Sequence, residues 1–438
     1  MDNLFKLCCA TMLVLTTALP GRAQTNGSNS PYSRYGFVLL AEGGNAFNKG
    51  MAGTAYGMKN GTELNTLNPA SYAAIDSLTF LFDFGLSLQN ANIGMGGVKT
   101  NAKNTSVDYI TAGFRMTPKL GMSVGIMPYS TIGYNTTSDQ TISSGHDEIT
   151  QTTSFYGDGG LHEVYAGIGW APFKTLAVGI NAGYLWGELN HTVLMSFDNS
   201  SINSSRQVYS ADIRTYKLGA GLQYDYTLDK KNQLTLGIIY NLGHDVNRTA
   251  AYYNQKIQSS STIAGGDTLK AQNAFALPHT LGVGLTWTHN NSLRVGVDYT
   301  FQKWSSVKYP SVYSSDNGQV LTATKGSFTD RHKVSVGMEY APNPESLKWS
   351  NRVRYRLGIS YSTPYIKVDG ADGPRDFLAS LGIGLPITNF HNNRSFINFS
   401  AQYERVKPKQ AGMVTENYFR FCIGLSFNER WFMKWKAE

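Results

Sequence analysis

The sequence predicts an all-β protein: a transmembrane antiparallel β-barrel of about 14 strands, with an N-terminal hatch plugging its lumen. Three observations carry this. Apolar residues recur at period two in many segments, the connections between those segments alternate long and short, and the composition is poor in charge and rich in Gly and Tyr.

The period-two signal is clearest in five places. Leu234, Leu236, Ile238 and Tyr240 alternate with Thr235, Gly237, Ile239 and Asn241. Leu281, Val283, Leu285 and Trp287 form a second set, and Leu293, Val295, Val297, Tyr299 and Phe301 a third. Val353, Tyr355, Leu357, Ile359 and Tyr361 follow, then Phe419, Phe421, Ile423, Leu425 and Phe427. Successive side chains of a strand point to opposite faces, so each set lies on one face. The first stripe is Leu78, Phe80, Phe82, Phe84, Leu86 and Leu88, with Asp83 between its members on the other face.

The connections separate a membrane barrel from a soluble protein of several sandwich domains. Long ones lie near 89–106, 130–160, 189–212, 242–276, 303–331, 363–375 and 404–415. Short ones lie near Thr117-Pro118, Ala171-Pro172-Phe173, 229–232, 289–291, 341–351 and 388–393. Long loops on one side and short turns on the other are the pattern of a transmembrane barrel with strands of about ten residues. Stacked sandwiches have no reason for that alternation, nor for large apolar residues on one face of nearly every strand. Trp170, Trp287 and Tyr340 stand at strand ends beside short turns, where an interfacial aromatic girdle would lie.

The composition agrees. Charged residues are 16% of the chain and aromatics 12%, with 26 Tyr and 45 Gly. No apolar run reaches the roughly 18 residues of a membrane helix. Basic residues are scattered, which argues against a nucleic-acid partner.

The chain divides into four segments. Residues 1–23 read as a signal peptide: Lys6, an apolar stretch from Leu7 to Leu19, then Gly21 and Ala23 at the −3 and −1 positions of a cleavage site. Its loss removes Lys6, Arg22 and Asp2, taking the net charge from +8 to +7. Cys8 and Cys9 leave with it, so Cys422 stays as the single thiol and no disulfide framework is expected. Residues 24–76 carry no period-two stripe and are broken by Gly-rich pieces and Asn68-Pro69. A segment so apolar belongs inside the barrel, because the lumen of about 14 strands is wider than side chains alone fill. Residues 77–428 are the barrel, and 429–438 an amphipathic C-terminal tail on the periplasmic side. A signal peptide with a β-barrel implies the outer membrane of a Gram-negative cell.

The chemistry of catalysis is missing. "GVG" and "GIG" recur inside strands with no following helix, so they are not phosphate loops. They suit small inward residues that leave the lumen open or admit the hatch. The His residues have no metal-ligand spacing, Cys422 is alone, and no nucleophile elbow occurs. No enzyme activity, metal or cofactor is expected. The strand register instead points Asp83, Arg294, Asp298, Lys333, Glu339, Arg354, Arg356 and Arg420 into the lumen. They either pair with one another and with the hatch, as buried charges must, or form a basic cluster that attracts an amphiphile's carboxylate, with Arg354 and Arg356 next to Arg420.

Six stretches in order, "NSPYSRYG", "GMAGTAYGMKNG", "LNPASYAAIDSLTF", "KLGMSVGIMPYSTIGY", "ALPHTLGVGL" and "GLSFNERWFMKWK", give the chain a family likeness. It resembles the FadL-type outer-membrane transporters of hydrophobic compounds, in the form found among Bacteroidetes. The resemblance covers most of the chain beyond residue 23. It implies a 14-stranded monomeric barrel, a hatch turning at Asn68-Pro69-Ala70, and passive uptake of a hydrophobic or amphipathic ligand such as a long-chain fatty acid. Release would be sideways into outer-membrane lipid beside the third strand, here expected over Lys119–Tyr129. Met127, Pro128 and Tyr129 are the exit candidates, since proline lacks the ladder N–H. Equally, Pro128 could end the membrane part of that strand at the outer rim. The resemblance also admits a barrel that serves as scaffold or shuttle for protein secretion or surface assembly, with a protein partner.

Overall fold

The computed structural model describes residues 29–430, less 38, 78, 145–146, 200, 259–261, 317, 369, 388–393 and 411. The signal-peptide reading, Leu78 of the first stripe, and all but the start of the C-terminal tail lie outside the described residues.

Fourteen strands form the wall: β1 (Thr79–Met95), β2 (Val98–Thr117), β3 (Leu120–Ser144), β4 (Asp147–Phe173), β5 (Leu176–Phe197), β6 (Ser204–Thr227), β7 (Asn232–Asn241), β8 (Thr280–His289), β9 (Leu293–Gln302), β10 (Arg331–Tyr340), β11 (Arg354–Ser362), β12 (Arg375–Ile387), β13 (Ser395–Lys407) and β14 (Thr415–Arg430). Each pairs antiparallel with its neighbour in sequence, and β14 returns to β1 from Thr79↔Arg430 to Gly94↔Thr415. This closure leaves no sheet edge to be satisfied by hydrocarbon. On β1, Phe80, Phe82, Phe84 and Leu86 are half-buried and Leu88 is exposed, while Leu81, Asp83 and Ser87 are buried toward the lumen. Trp170, Trp287 and Tyr340 face outward, 50%, 36% and 43% exposed, at the short-turn end.

The long connections differ from the expectation. β1 to β6 run for 17 to 27 residues. The spans 89–106, 130–160 and 189–212 are therefore mostly ladder, not loop. Gly96 and Gly97 turn the first hairpin with φ of 58° and 90°, the positive pair a tight two-residue hairpin needs. Alternation is imposed by lipid on one face. Beyond the bilayer both faces meet water, so the pattern lapses while the backbone pairing continues. Likewise the third strand does not stop at Tyr129 but runs to Ser144. At its other end β14 runs to Arg430, two residues past the expected barrel boundary.

Residues 39–76 fill the lumen, with a short helix at Ala46–Lys49 and a 3-10 helix at Pro69–Ala74. Their backbone lies against inward-facing glycines of the wall. A Cβ on Gly237 would stand 2.0 Å from the Tyr56 carbonyl oxygen, and one on Gly358 would stand 2.3 Å from the Met51 carbonyl carbon. The strand glycines of the "GVG" type thus serve close approach of the plug; Gly282 and Gly284 leave room for the Tyr56 side chain, and Gly284 also for the Asp298 carboxylate. At the long-connection end, residues 30–37 join an apolar core containing Phe37, Phe275, Trp304 and Phe328, with Ile132, Leu161 and Leu185 from β3 to β5. Phe37, Phe275 and Trp304 are wholly buried.

Replacing Gly237 with Leu should expel the plug from this contact and destabilise the protein by about 1–3 kcal/mol, the usual cost of overpacking. Urea unfolding of the refolded protein measures it, and the barrel itself should still form.

Candidate functional site

The wall is weakest between β2 and β3. Their ladder runs only from Ile110↔Ile126 to Thr117↔Leu120. Above it, Val98–Tyr109 of β2 pair only with β1, and Met127–Ser144 of β3 pair with β4. Two bulges mark the point of parting. Pro128 opposes His162 and Ser130 opposes Leu161, which leaves Tyr129 as the extra residue on β3. Gly85 opposes Tyr109 and Leu86 opposes Val107, which leaves Asp108 extra on β2. A bulge bends its strand and raises local twist, and Pro128 has no N–H to offer across the gap. The strand continues past Pro128 to Ser144, and Pro128 stands at the bulge where the strand leaves its neighbour.

The N-terminal segment clips into this opening. Leu39 pairs with Thr131 and Leu40 with Ser130, and the Ala41 N–H donates to the Tyr129 carbonyl at 2.9 Å. Behind the clip lies a cavity of about 450 Å³ that reaches Met127, Pro128, Tyr109 and Arg420. Two smaller cavities, of about 200 and 130 Å³, share Ala41 and Gly43 with it. Ion pairs line this space. Lys49 of the plug meets the bulged Asp108 at 2.6 Å, Lys333 meets Glu42, and Arg420 meets Glu404.

Toward the short-turn end the inward charges are paired with one another and with the plug. Glu63, with its side chain wholly buried, receives Arg354 and, at 3.0 Å, Arg356. Arg356 also donates to Glu339 at 2.7 Å and to Asn398 at 2.6 Å. Arg294 meets Glu339 at 3.1 Å. Asp298 accepts the N–H groups of Ala55 and Tyr56 at 2.6 and 2.9 Å, and Asp83 accepts from Asn45 at 2.6 Å and Tyr109 at 3.1 Å. In low dielectric each such group needs these partners.

Arg420 does not join Arg354 and Arg356 in one basic cluster. The latter two hold Glu63 of the plug, whereas Arg420 opens on the gap cavity with Glu404 and Gln89. The register explains the separation: Arg356 aligns through Gly382 and Ser400 with Cys422, which puts Arg420 two residues further along β14. Cys422 is buried beside Ser87, whose hydroxyl is 3.2 Å away. Asn68 caps the 3-10 helix: its side chain accepts from the Ala70 N–H at 3.1 Å and donates to the Tyr56 carbonyl at 2.8 Å and to Leu222 of β6 at 3.3 Å. Pro69 and Ala70 are buried against Gly179 of β5.

Sequence reasoning missed the acids that meet these bases: Glu42, Glu63, Asp108 and Glu404. Glu63 had a visible signal. It is the sole acid between Glu42 and Asp76 in an apolar, Gly-rich stretch, so a buried base had to meet it. Asp108 had none, because a bulge is invisible to period-two counting. Among the described residues no group of three or more His, Cys, Asp or Glu is placed to hold a metal ion.

These features define a closed, plugged transmembrane β-barrel, with a wall parted between its second and third strands. The chain belongs to the BamG family, whose profile matches residues 5–438. The fold is also that of a FadL homologue from Pseudomonas aeruginosa, at 12% identity and a TM-score of 0.60, covering 90% of this chain and 99% of that one. A toluene transporter from P. putida, TodX, is similar at 16% identity and a TM-score of 0.60, covering 89% and 99%. The CymD monoaromatic hydrocarbon channel gives 16% and 0.57, covering 89% and 98%. At such identities the likeness is one of fold. No curated protein sequence matches the chain.

Glu63→Ala should destabilise the protein by about 3–5 kcal/mol, because it strands Arg354 and Arg356 in the interior. Adding Arg354→Met and Arg356→Met should restore much of the loss. Denaturant midpoints of the three proteins provide the comparison.

Proposed function

We propose that this chain is a monomeric outer-membrane channel for passive uptake of hydrophobic or amphipathic small molecules, released sideways through the wall between β2 and β3. In this reading residues 1–23 are its export signal, 24–76 its hatch, 77–428 its barrel and 429–438 its periplasmic tail. One observation carries it: the ladder between β2 and β3 stops at Ile110↔Ile126, and a cavity of about 450 Å³ lies directly behind the opening. A barrel that only needed to be stable would gain by continuing those rungs. Met127, Pro128 and Tyr129 border the exit, and the Leu39–Ala41 clip closes it. The cavity mixes apolar side chains with the Lys49–Asp108 and Arg420–Glu404 pairs. That lining suits an amphiphile with a polar head, of the long-chain fatty acid kind, better than a bare hydrocarbon.

A second reading, a scaffold or shuttle for protein secretion or surface assembly, is favoured by a different observation. The apolar core around Phe37 and Trp304 fills the long-connection end, and the plug fills the short-turn end. A scaffold needs no path through the lumen. A channel requires the clip and the plug to move.

Uptake of radiolabelled oleate into proteoliposomes separates the two. The channel reading expects transport above empty vesicles, reduced at least about fivefold, or 1 kcal/mol, when Pro128→Val is combined with deletion of Tyr129 to restore regular pairing. Transport that survives restored pairing overturns the side exit. No transport by the unaltered protein, together with a stoichiometric protein partner on purification, overturns the channel and leaves the scaffold.

A further inference from the structure

The lipid-facing side of β4 to β7 is not flat. It carries an apolar groove of about 490 Å³, lined by Ile168, Trp170, Ile180, Leu222 and Tyr240 around Ala220. Ala220 pairs with Ile180 on one side and with Tyr240 on the other. Paired residues share a face of the sheet, so a lone methyl group lies between two large side chains and forms a floor. The groove sits in the half of the wall next to the short turns: β5 begins at Leu176, β6 ends at Thr227, and Trp170 belongs to the interfacial girdle.

Two short turns stand at the foot of this groove, and both carry exposed lysines. Lys174 lies between β4 and β5, and Lys230 and Lys231 lie between β6 and β7. The Asp225 N–H donates to the Thr175 carbonyl at 2.7 Å, which ties the first turn to the foot of β6. Among the described residues none of these three lysines is paired with a carboxylate. The acids nearby are engaged elsewhere. Asp229 accepts the N–H groups of Lys231 and Asn232 at 2.6 and 2.8 Å, and Asp225 meets Lys59 of the plug at 2.6 Å. Lys119, in the β2–β3 turn, adds a further positive charge and donates to the Pro172 carbonyl at 3.0 Å. Phe173 and Leu228, beside these lysines, are exposed. An apolar tip next to a basic side chain is what a segment at headgroup level presents.

We propose that this groove is a binding site for one phospholipid of net negative charge. An acyl chain lies over Ala220 between Ile180 and Tyr240, and the phosphate meets Lys174, Lys230 and Lys231. The fold itself puts lipid against this face, since β4 to β7 span the bilayer, and the groove opens toward the leaflet that meets the short turns. Charge selects the headgroup: three ammonium groups without acids attract an anionic one, and their stems lie along apolar surface while their tips reach the phosphates. The site is on the outside of the wall and holds whether or not the lumen conducts.

Native mass spectrometry of the full chain, released from nanodiscs of equimolar phosphatidylglycerol and phosphatidylcholine with matched acyl chains, tests it. The unaltered protein should retain phosphatidylglycerol over phosphatidylcholine by about tenfold or more, since each lysine at the headgroup is worth about fivefold. Lys174→Gln with Lys230→Gln and Lys231→Gln should bring the ratio near parity. Lys348→Gln, on the β10–β11 turn, should leave it as it was. Ala220→Phe should fill the groove and lower retention of both lipids about fivefold, with the ratio kept. All of these side chains are exposed, so the barrel should still form. Equal retention of the two lipids by the unaltered protein overturns the proposal. So does a ratio that survives the triple change or falls as far with Lys348→Gln. Retention unmoved by Ala220→Phe overturns it too, since that is attraction to the rim without the groove. Displacement of the lipid by glycerol 3-phosphate assigns the lysines to a free phosphate and also overturns it.

Discussion

Lipid offers no hydrogen-bond partner, and the rest of this structure follows from that. Every wall strand must bond to a neighbour on both sides, so the sheet must close, and the β1–β14 ladder from Thr79↔Arg430 to Gly94↔Thr415 is the seam that closes it. Closure at fourteen strands leaves a lumen too wide for side chains to fill. A plug is then required, and the plug brings its own backbone polar groups and charges into the interior. The wall answers them locally. Asp298 takes two plug N–H groups, Gln223 donates to the carbonyls of Tyr56 and Met58, and Arg354 with Arg356 neutralises Glu63. Packing demands the inward glycines for the same reason, since two backbones approach where a side chain would otherwise stand.

The one place where the requirement is relaxed is therefore informative. Between β2 and β3 the rungs stop, and the cost is met by three devices. Two bulges turn the strands apart, the clip at Leu39–Ala41 occupies the edge of β3 nearest the opening, and the bulged Asp108 is held by Lys49. Without them the opening would be a row of unsatisfied groups beside the bilayer. The clip belongs to the N-terminal segment, so the same piece of chain that fills the lumen also controls the gap. Movement at one is mechanically tied to the other through Ala41 and Gly43, which border the three cavities described above.

What the sequence revealed follows the same physics. The wall was legible because lipid on one face forces alternation; Phe80, Phe82 and Phe84 could only be a lipid-facing stripe once Asp83 lay between them. Fourteen strands followed from the turns. Strand ends at the long-connection side were illegible, because above the bilayer Thr and Ser on both faces carry no period. The inward positions of Arg294, Arg354 and Arg356 were readable from parity alone. Their partner Glu63 lies 291 and 293 residues from the two arginines it binds, and no local pattern links positions so far apart. Arg420 shows the limit of parity: facing inward does not fix the level at which a side chain lies, and two residues along β14 place it in a different compartment.

The position of the bulges adds a constraint on how such a wall can change. Tyr129 and Asp108 are extra residues on adjacent strands at the same level, and each was inserted without disturbing pairing on its far side, where β3–β4 and β1–β2 resume in register. Removing either extra residue restores one-to-one pairing and leaves the partners on both sides unchanged, whereas removing a residue elsewhere would shift half of a strand by one residue and turn its lipid face inward. A gap of this kind is therefore stable against single insertions or deletions only at its own edges. Below the bulges every strand is locked by its neighbours and by the plug. Above them β2 and β3 are each tied on one side only, and that freedom is what the clip uses at Ser130 and Thr131.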